Sequence, residues 1–391
     1  MAEGSVWLAL EPGGDSVRMT TSAQSASFPS VSIVVPTYRE ADNIPLLVDR
    51  IARLRDERRL DLELLIMDDD SNDGIEDVVR GLRKAWVRLT VRKENRGLGP
   101  AVVDGMRLAR NDVLVCMDAD LSHPPEAIPE LLEALSQNYD FVIGSRYVEG
   151  GTTDERWSLF RRLNSRVATL LARPFTCARD PMSGFFALRR ETFASAQDLN
   201  PIGYKIGLEL LVKARCEFIK EVPIHFTDRR LGESKLTLAE QLRYLQHLRR
   251  LFIYRYGGWA HFSQFAVVGG LGTLVNLAVL TVLDLLNVPL AIAVAVAILG
   301  AMGFNFALNR RFTFSYARQG SLPRQFLGFA GASSVGALAN YAVTLALIRQ
   351  SAFLARMPQA AALFGIAAGM LINFGISRYL VFREPRRPRP V

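Results

Sequence analysis

VLVCMDADLSHPPE (residues 113–126) is an apolar run that stops abruptly on carboxylates. Val113 to Met117 reads as a buried strand. Asp118 and Asp120 then follow with only Ala119 between them. LELLIM (62–67) ends in the same way on Asp68, Asp69 and Asp70, and VSIVV (31–35) runs into the polar PTYRE (36–40). Further strands are expected at 88–92 and 140–143, and helices at 42–57, 75–85, 98–110 and 125–137. Strands alternating with helices imply an α/β domain with a mostly parallel, Rossmann-like sheet. Such sheets bind ligands beyond the carboxyl ends of their strands. The three polar motifs are therefore expected to meet at one cleft.

The chain has 391 residues and a formal net charge of +8, but the charge is unevenly distributed. Between about 262 and 382 the only acid is Asp284. That region holds four apolar stretches, at 263–286, 289–308, 326–348 and 359–377. Each is close to the ~20 residues needed to span a bilayer, and none carries the polar stripe of a soluble helix. The second half of this region echoes the first. QFAVVGGLGTLVNLAV (264–279) resembles QFLGFAGASSVGALANYAV (325–343), and NFALNRRFTF (305–314) resembles NFGISRYLVF (373–382). Each repeat unit holds two spans, so both copies cross in the same direction.

Arg310, Arg311, Arg318 and Arg324 lie between spans two and three, and five arginines follow span four. The other two loops offer only Arg349 and Arg356. This bias places both termini, and the first 236 residues, on the cytoplasmic side. Residues 237–257 alternate leucines with arginines at helical spacing and read as an interfacial amphipathic helix, or a pair of such helices, on the bilayer. Cys116, Cys177 and Cys216 have no metal-ligand spacing and suggest no disulfide framework. The expected domains are a disordered leader (1–29), an α/β domain (30–236), interfacial helices (237–260), a four-helix transmembrane domain (261–383) and a basic tail (384–391). Nucleic acid is not expected as a partner.

Two carboxylates in a D-x-D turn can hold a hard divalent cation, Mg²⁺ or Mn²⁺, that keeps positions open for substrate phosphates. Read alone, the same residues also suit a helix start, with Asp120 or Ser122 as a cap before the prolines. FTDRRLGESK (226–235) sets Arg229 and Lys235 about a glycine turn, a pairing suited to phosphate oxygens. Arg146 ends another strand, and Arg161, Arg162 and Arg166 follow; these three also fit a solvated basic surface. A metal, a nucleotide cleft and extra cations beside a membrane favour a nucleotide-sugar donor and a lipid-phosphate acceptor.

VSIVVPTYREADNI, DDDSNDG, DADLSHPPE, VIGSRYVEGG, DPMSGFFALRR, YKIGLELLVKA and DRRLGESKL together resemble the family 2, GT-A fold glycosyltransferases. More narrowly they resemble polyprenyl- or dolichyl-phosphate mannose synthases. The tail is similar to the GtrA-like membrane domain through NRRFTF and the paired Asn276 and Asn340. The resemblance implies that Pro36, Tyr38, Glu40, Ile66, Asp68 and Ala119 line the donor site. It implies that Asp118 and Asp120 hold the metal, with Ser122 where some relatives carry a further metal-side Gln. Arg146, Arg229 and Lys235 would meet phosphates during catalysis, and Arg161, Asp180 and Ser183 would border the acceptor.

The implied reaction moves mannose from GDP-mannose to a polyprenyl or dolichyl phosphate in a single inverting displacement. A UDP-glucose-dependent transfer is the alternative donor reading. A processive polysaccharide synthase is disfavoured because the nearest match to Q-x-x-R-W is QHLRR (246–250). A lipid-linked sugar flippase with a regulatory soluble domain is the reading from a different class. On it, Asn276, Asn305, Asn340 and Asn373 would line a headgroup path rather than act as helix-packing glue.

Overall fold

The computed structural model describes residues 28–153, 159–203, 205–227 and 238–383. The chain divides into two compact units, Met1–Leu236 and Thr237–Val391. In the first, strands β1 (Val31–Thr37), β2 (Leu62–Asp68), β3 (Val87–Val91) and β4 (Val113–Cys116) alternate with helices α1 (Ile44–Arg58), α2 (Ile75–Leu82) and α3 (Leu98–Leu108). Helix α4 (Ile128–Ser136) then leads to β5 (Phe141–Ser145). A short β6 (Thr152–Thr153) and α5 (Leu159–Ala172) follow, then β7 (Phe186–Arg189), α6 (Arg190–Ser195), α7 (Ile206–Lys213), β8 (Ile219–Pro223) and β9 (His225–Phe226).

The main sheet has the order β3-β2-β1-β4-β7-β5-β8. Its pairs are parallel except where β7 runs antiparallel between β4 and β5. All seven residues of β1 are buried, as are all seven of β2. Helices cover both faces, so these strands need continuous rather than alternating apolar character. On one face Ile44, Leu47, Val48, Ile51 and Leu54 of α1 point into a core with Ile33, Val35 and Leu64. On the other, α3 brings Val102 and Met106 against Val34 and Met67. Gly105 permits that approach, since a Cβ there would lie 2.9 Å from Met67 Cγ and closer still to Val34.

The mostly parallel α/β sheet agrees with the sequence expectation. Strand β7 was not foreseen: FALR is short, and it is inserted against the local direction of the sheet. The helix expected at 125–137 starts as a single 3₁₀ turn (Pro125–Ala127), because the consecutive prolines Pro124 and Pro125 set its first residues.

In the second unit α8 (Leu238–Tyr256) is a single helix. It leaves Leu242 and Leu245 exposed alongside Arg243, Arg250 and Arg255. Helices α9 (Gly258–Leu285), α10 (Leu290–Leu308), α11 (Leu322–Gln350) and α13 (Pro358–Ile376), with the short α12 (Ala352–Arg356) before the last, complete the unit. Among the described residues four helices are long and apolar enough to cross a membrane; α10 and α13 extend through wider π-helical turns to Thr313 and Val381. The first begins at Gly258, inside the stretch expected to be interfacial.

Helix α9 packs along α10, and α11 along α13. The internal repeat is visible in how these pairs touch. Asn305 fills the space beside Gly272, and the Cβ of Asn373 lies 3.0 Å from where a Cβ on Gly336 would sit. In each pair an asparagine of the second helix meets the glycine four residues before Asn276 or Asn340. Small residues at such seams let helix backbones approach closely in lipid. Asn305 and Asn373 therefore act within the helix-packing seams. The two repeat ends meet at Phe314 and Phe382, both fully buried and stacked 4.8 Å apart.

The seam gives a direct test. A Cβ on Gly336 would sit 2.8 Å from the Gly369 carbonyl oxygen, and Gly369 faces Gly336 in return, whereas Gly375 has open space. Gly369→Leu is expected to lower the melting temperature of the detergent-solubilised protein by several degrees, as overpacking by about 1–3 kcal/mol predicts. Gly375→Leu should leave it unchanged. Equal melting temperatures for both variants would contradict this packing.

Candidate active site

The carboxyl ends of β1 and β2 build one side of the cleft. Asp68 ends β2 almost fully buried, and both of its oxygens are engaged. Oδ1 accepts from Thr37 Oγ1 at 3.1 Å and from Ser71 Oγ at 2.5 Å, while Oδ2 accepts from the Ser71 amide at 2.9 Å. Asp73 accepts from the Ala41 amide at 3.0 Å, and Ser71 Oγ from the Arg39 amide at 2.9 Å. The acids of DDDSNDG thus serve first to fold two strand-end loops against each other. Around them lies a cavity of about 540 Å³, lined by Tyr38, Arg39, Asp42, Asp70, Asn72 and Arg96 among others.

Among the described residues, Tyr38 is the one expected donor-site residue that lines this cavity. Ile66 and Ala119 are buried in the core. Glu40 accepts from the Asn43 amide group at 2.7 Å, and Pro36 lies within β1. Two arginines that the sequence reading passed over hold this region, and one of them, Arg96, lines the cavity. Arg92, buried, donates to Asp69, to Asp104 and to the Asn95 carbonyl, and Arg96 pairs with Asp70.

The D-x-D turn follows β4. Asp118 keeps 27% of its side-chain surface exposed, whereas Asp120 is buried. Asp120 Oδ1 accepts from the Ser122 amide at 3.1 Å and from Ser122 Oγ at 2.5 Å. Leu121 sits at φ 62°, a left-handed turn that brings Ser122 back onto Asp120. The far side of the turn is held by Thr227, whose Oγ1 donates to the Leu121 carbonyl at 3.1 Å and whose amide donates to the Ser122 carbonyl at 3.2 Å.

His123, also passed over, is buried behind the turn and stacks on Phe185. Its Nδ1 accepts from the Asp118 amide at 3.1 Å. Burial lowers its pKa despite the opposing charges of Asp118 and Asp120. The ring is thereby kept neutral, with the tautomer this hydrogen bond requires.

The third part lies beyond β4. Arg146, at the end of β5, forms a two-pronged ion pair with fully buried Asp180: Nε to Oδ2 and Nη2 to Oδ1, both 2.7 Å. The Arg146 amide adds a bond to Oδ2 at 3.1 Å. Burial opposes the guanidinium charge, but Asp180 outweighs it and raises the arginine's pKa. Ser183 Oγ donates to the Gly144 carbonyl at 2.7 Å. Gly184 then passes so close to the D-x-D turn that a Cβ would lie 3.3 Å from Asp118 Oδ1 and 3.4 Å from His123 Cε1. Lys205, just before α7, donates to the Met182 carbonyl at 3.5 Å. Asp118, Asp120, Arg146, Asp180 and Ser183 are therefore brought together. Arg229 and Lys235 lie outside the described residues, and Arg161 lies in α5 with its side chain outside them.

Among the described residues no cluster of three or more His, Cys, Asp or Glu side chains is arranged to hold a metal. Asp118 and Asp120 still suit a cation of the Mg²⁺ type, which typically takes one or two carboxylates and completes its shell with water and substrate phosphates. One carboxylate partly exposed and the other oriented by Ser122 provides that donor set.

Residues 32–195 match the glycosyl transferase family 2, and residues 264–382 match the GtrA/DPMS transmembrane domain. A dolichol-phosphate mannosyltransferase from Pyrococcus furiosus is 37% identical over 357 residues, 90% of this chain and 99% of that protein. Proteins of the same name from Mycosarcoma maydis and Saccharomyces cerevisiae are 44% and 42% identical over 60% and 58% of this chain, covering 82% and 88% of their own lengths. Among solved structures, a glucosyl-3-phosphoglycerate synthase from Mycobacterium tuberculosis aligns with TM-score 0.45 and 22% identity, over 60% of this chain and 82% of that one. The near end-to-end match with the Pyrococcus protein, across both the catalytic and the membrane part, means that this chain is an integral membrane glycosyltransferase of the dolichol-phosphate mannosyltransferase family.

Proposed function

We propose that the protein transfers mannose from GDP-mannose to a polyprenyl or dolichyl phosphate at the cytoplasmic face of a membrane, with Mg²⁺ or Mn²⁺ held by Asp118 and Asp120. The observation that carries this reading is the order of groups along the strand ends. The cavity by β1 and β2 has room for a nucleotide, the acidic turn follows at β4, and the Arg146–Asp180 group lies beyond it at β5. A donor laid along this line sets its base in the cavity and its diphosphate at the acidic turn. Its sugar then points toward Arg146. The bound cation would neutralise charge growing on the leaving diphosphate.

The acceptor needs little activation. A phosphate monoester with a second pKa near ~6 is mostly a dianion at neutral pH and attacks without a strong base. The protein's task is to align it behind the anomeric carbon and to exclude water. Buried, neutral His123 serves by holding the Asp118 amide, and Arg146 by presenting positive charge on the acceptor side.

Incubation with a panel of labelled nucleotide sugars and a polyprenyl phosphate, followed by lipid extraction, tests the donor. Label from GDP-mannose should enter the lipid phase, and NMR of the product should give the anomeric configuration opposite to the donor's. Preferential labelling from UDP-glucose would replace the donor assignment, and retention would remove the single displacement.

Asp120→Asn removes one charge from the turn while keeping its shape. It should cut turnover by about 10²-fold or more and weaken Mn²⁺-dependent binding of GDP in calorimetry, with circular dichroism unchanged. Undiminished Mn²⁺-dependent GDP binding would remove Asp120 from the metal site.

The orientation is read from arginines 310, 311, 318 and 324 against the sparse loops at 287–289 and 351–357. A cysteine introduced at Gln319 should be shielded from an impermeant thiol reagent in intact cells, and one at Gln359 should be labelled. The reverse pattern would invert the topology.

A further inference from the structure

We propose that Lys205 is a binding residue for the acceptor's phosphate, completing with Arg146 a cationic pocket on the side of the D-x-D turn away from the nucleotide. This rests on the transfer reaction proposed above and assigns within it a residue that the family motifs leave without a role.

One short loop ties Lys205 to the chemistry. Residues 180–184 (DPMSG) carry Asp180, which grips Arg146. Two residues on, the Met182 carbonyl accepts from Lys205 Nζ at 3.5 Å. Two residues further, Gly184 lies against the Asp118 carboxylate. A five-residue segment thus sets Arg146, Lys205 and Asp118 about one point. The position along the sheet decides which substrate this point serves. The nucleotide cavity lies at β1 and β2, whereas the loop leads into β7, on the other side of β4. A phosphate held there sits across the D-x-D turn from the nucleotide, which is where an attacking acceptor must stand for in-line displacement.

The placement of Lys205 is poor for stability alone. It is the residue immediately before α7, where the helix dipole and first amides disfavour a cation. The other lysine of this helix shows the favourable arrangement: Lys213 closes the C-terminal turn and pairs with Glu209 at 2.6 Å. Lys205 lies within the electrostatic reach of the Arg146 guanidinium and of Asp180 and Asp118. Burial, and then Arg146, pull its pKa down to about 7, against the opposing pull of Asp180 and Asp118. An ammonium, a guanidinium and a helix N-terminus gathered at one point form a site that an entering anion stabilises. A dianionic phosphate is a ligand chemistry suited to two cations and a helix N-terminus at one place.

The test uses the full-length protein in detergent with a short-chain prenyl phosphate, comparing wild type, Lys205→Met and Lys205→Arg. Lys205→Met should raise the KM for the prenyl phosphate about ten- to a hundredfold, the loss of one charge-assisted contact, while the KM for the sugar nucleotide stays within about twofold. Lys205→Arg should recover most of the loss. Calorimetric binding of the prenyl phosphate without any donor should weaken in parallel. If Lys205→Met fails to fold, Lys205→Gln removes the same charge with less change in polarity and should give the same KM split.

An unchanged acceptor KM, or a rise confined to the nucleotide KM, overturns the inference; the latter assigns Lys205 to the leaving diphosphate. Failure of the wild-type protein itself to bind or use prenyl phosphate would instead remove the proposed function, so the two failures are distinguishable.

Discussion

The buried ion pair between Arg146 and Asp180 is the constraint on which the geometry of the cleft depends. Asp180 is fully buried, and a carboxylate in that position must be paired and hydrogen-bonded. It receives three bonds from Arg146, while its own amide and that of Arg179 donate to Glu221 at 2.9 and 2.7 Å. Removing one partner of such a pair costs about 3–5 kcal/mol, because the other charge is left stranded. The chain is thus fixed where it turns into β7, the strand that runs against the sheet. Everything that follows inherits the fix: Ser183 on the Gly144 carbonyl, Gly184 against Asp118, and Lys205 on the Met182 carbonyl.

The same pair sets the electrostatic character of the site. Asp180 neutralises Arg146 but does not cover it, since the guanidinium also lies 5.2 Å from the ring centres of Phe226 and Tyr147. Those apolar neighbours lower the local dielectric and strengthen any contact to an anion. In the proposed reaction no side chain needs to take a proton from the nucleophile. What that reaction asks of the site is positioning and charge: cations for the phosphates, and two carboxylates to hold the proposed divalent ion. Buried, neutral His123 fits that economy. It is bound to the backbone of Asp118 and is not poised as a base.

The membrane unit solves its own packing problem by repetition. Arg249 reaches Gln264 at 3.3 Å and Arg310 reaches Gln325 at 2.8 Å, each across fifteen residues. Arg310, after α10, thereby holds the start of the second repeat, and Arg378, after α13, returns to the Gly258 carbonyl at 3.3 Å at the start of the first. The repeats close on each other through these contacts and through the Phe314–Phe382 stack. In lipid there is no hydrophobic drive to bring helices together, so glycine seams, aromatic stacking and a few polar bonds at the helix ends must supply it.

What the sequence conveyed follows from this physics. The strand ends were legible because apolar runs that stop on carboxylates have few explanations in a parallel sheet. The spans were legible because twenty apolar residues are hard to read otherwise. Strand β7 was not, since four residues of FALR carry no sign of direction; its antiparallel pairing with β4 and β5 reveals that the chain doubles back there. The structural part of Asp68 was not legible: its oxygens tie Thr37 and Ser71 together at the strand ends, beside a cavity lined by Asp70 and Arg96. His123 and Lys205 stood inside motifs already quoted, yet their types gave no spacing argument. A histidine beside two prolines and a lysine before an apolar helix gain meaning only when the fold sets them next to Asp118 and Met182. Residue type marks where chemistry is possible, and the long-range turn of the backbone decides which of those residues share a site.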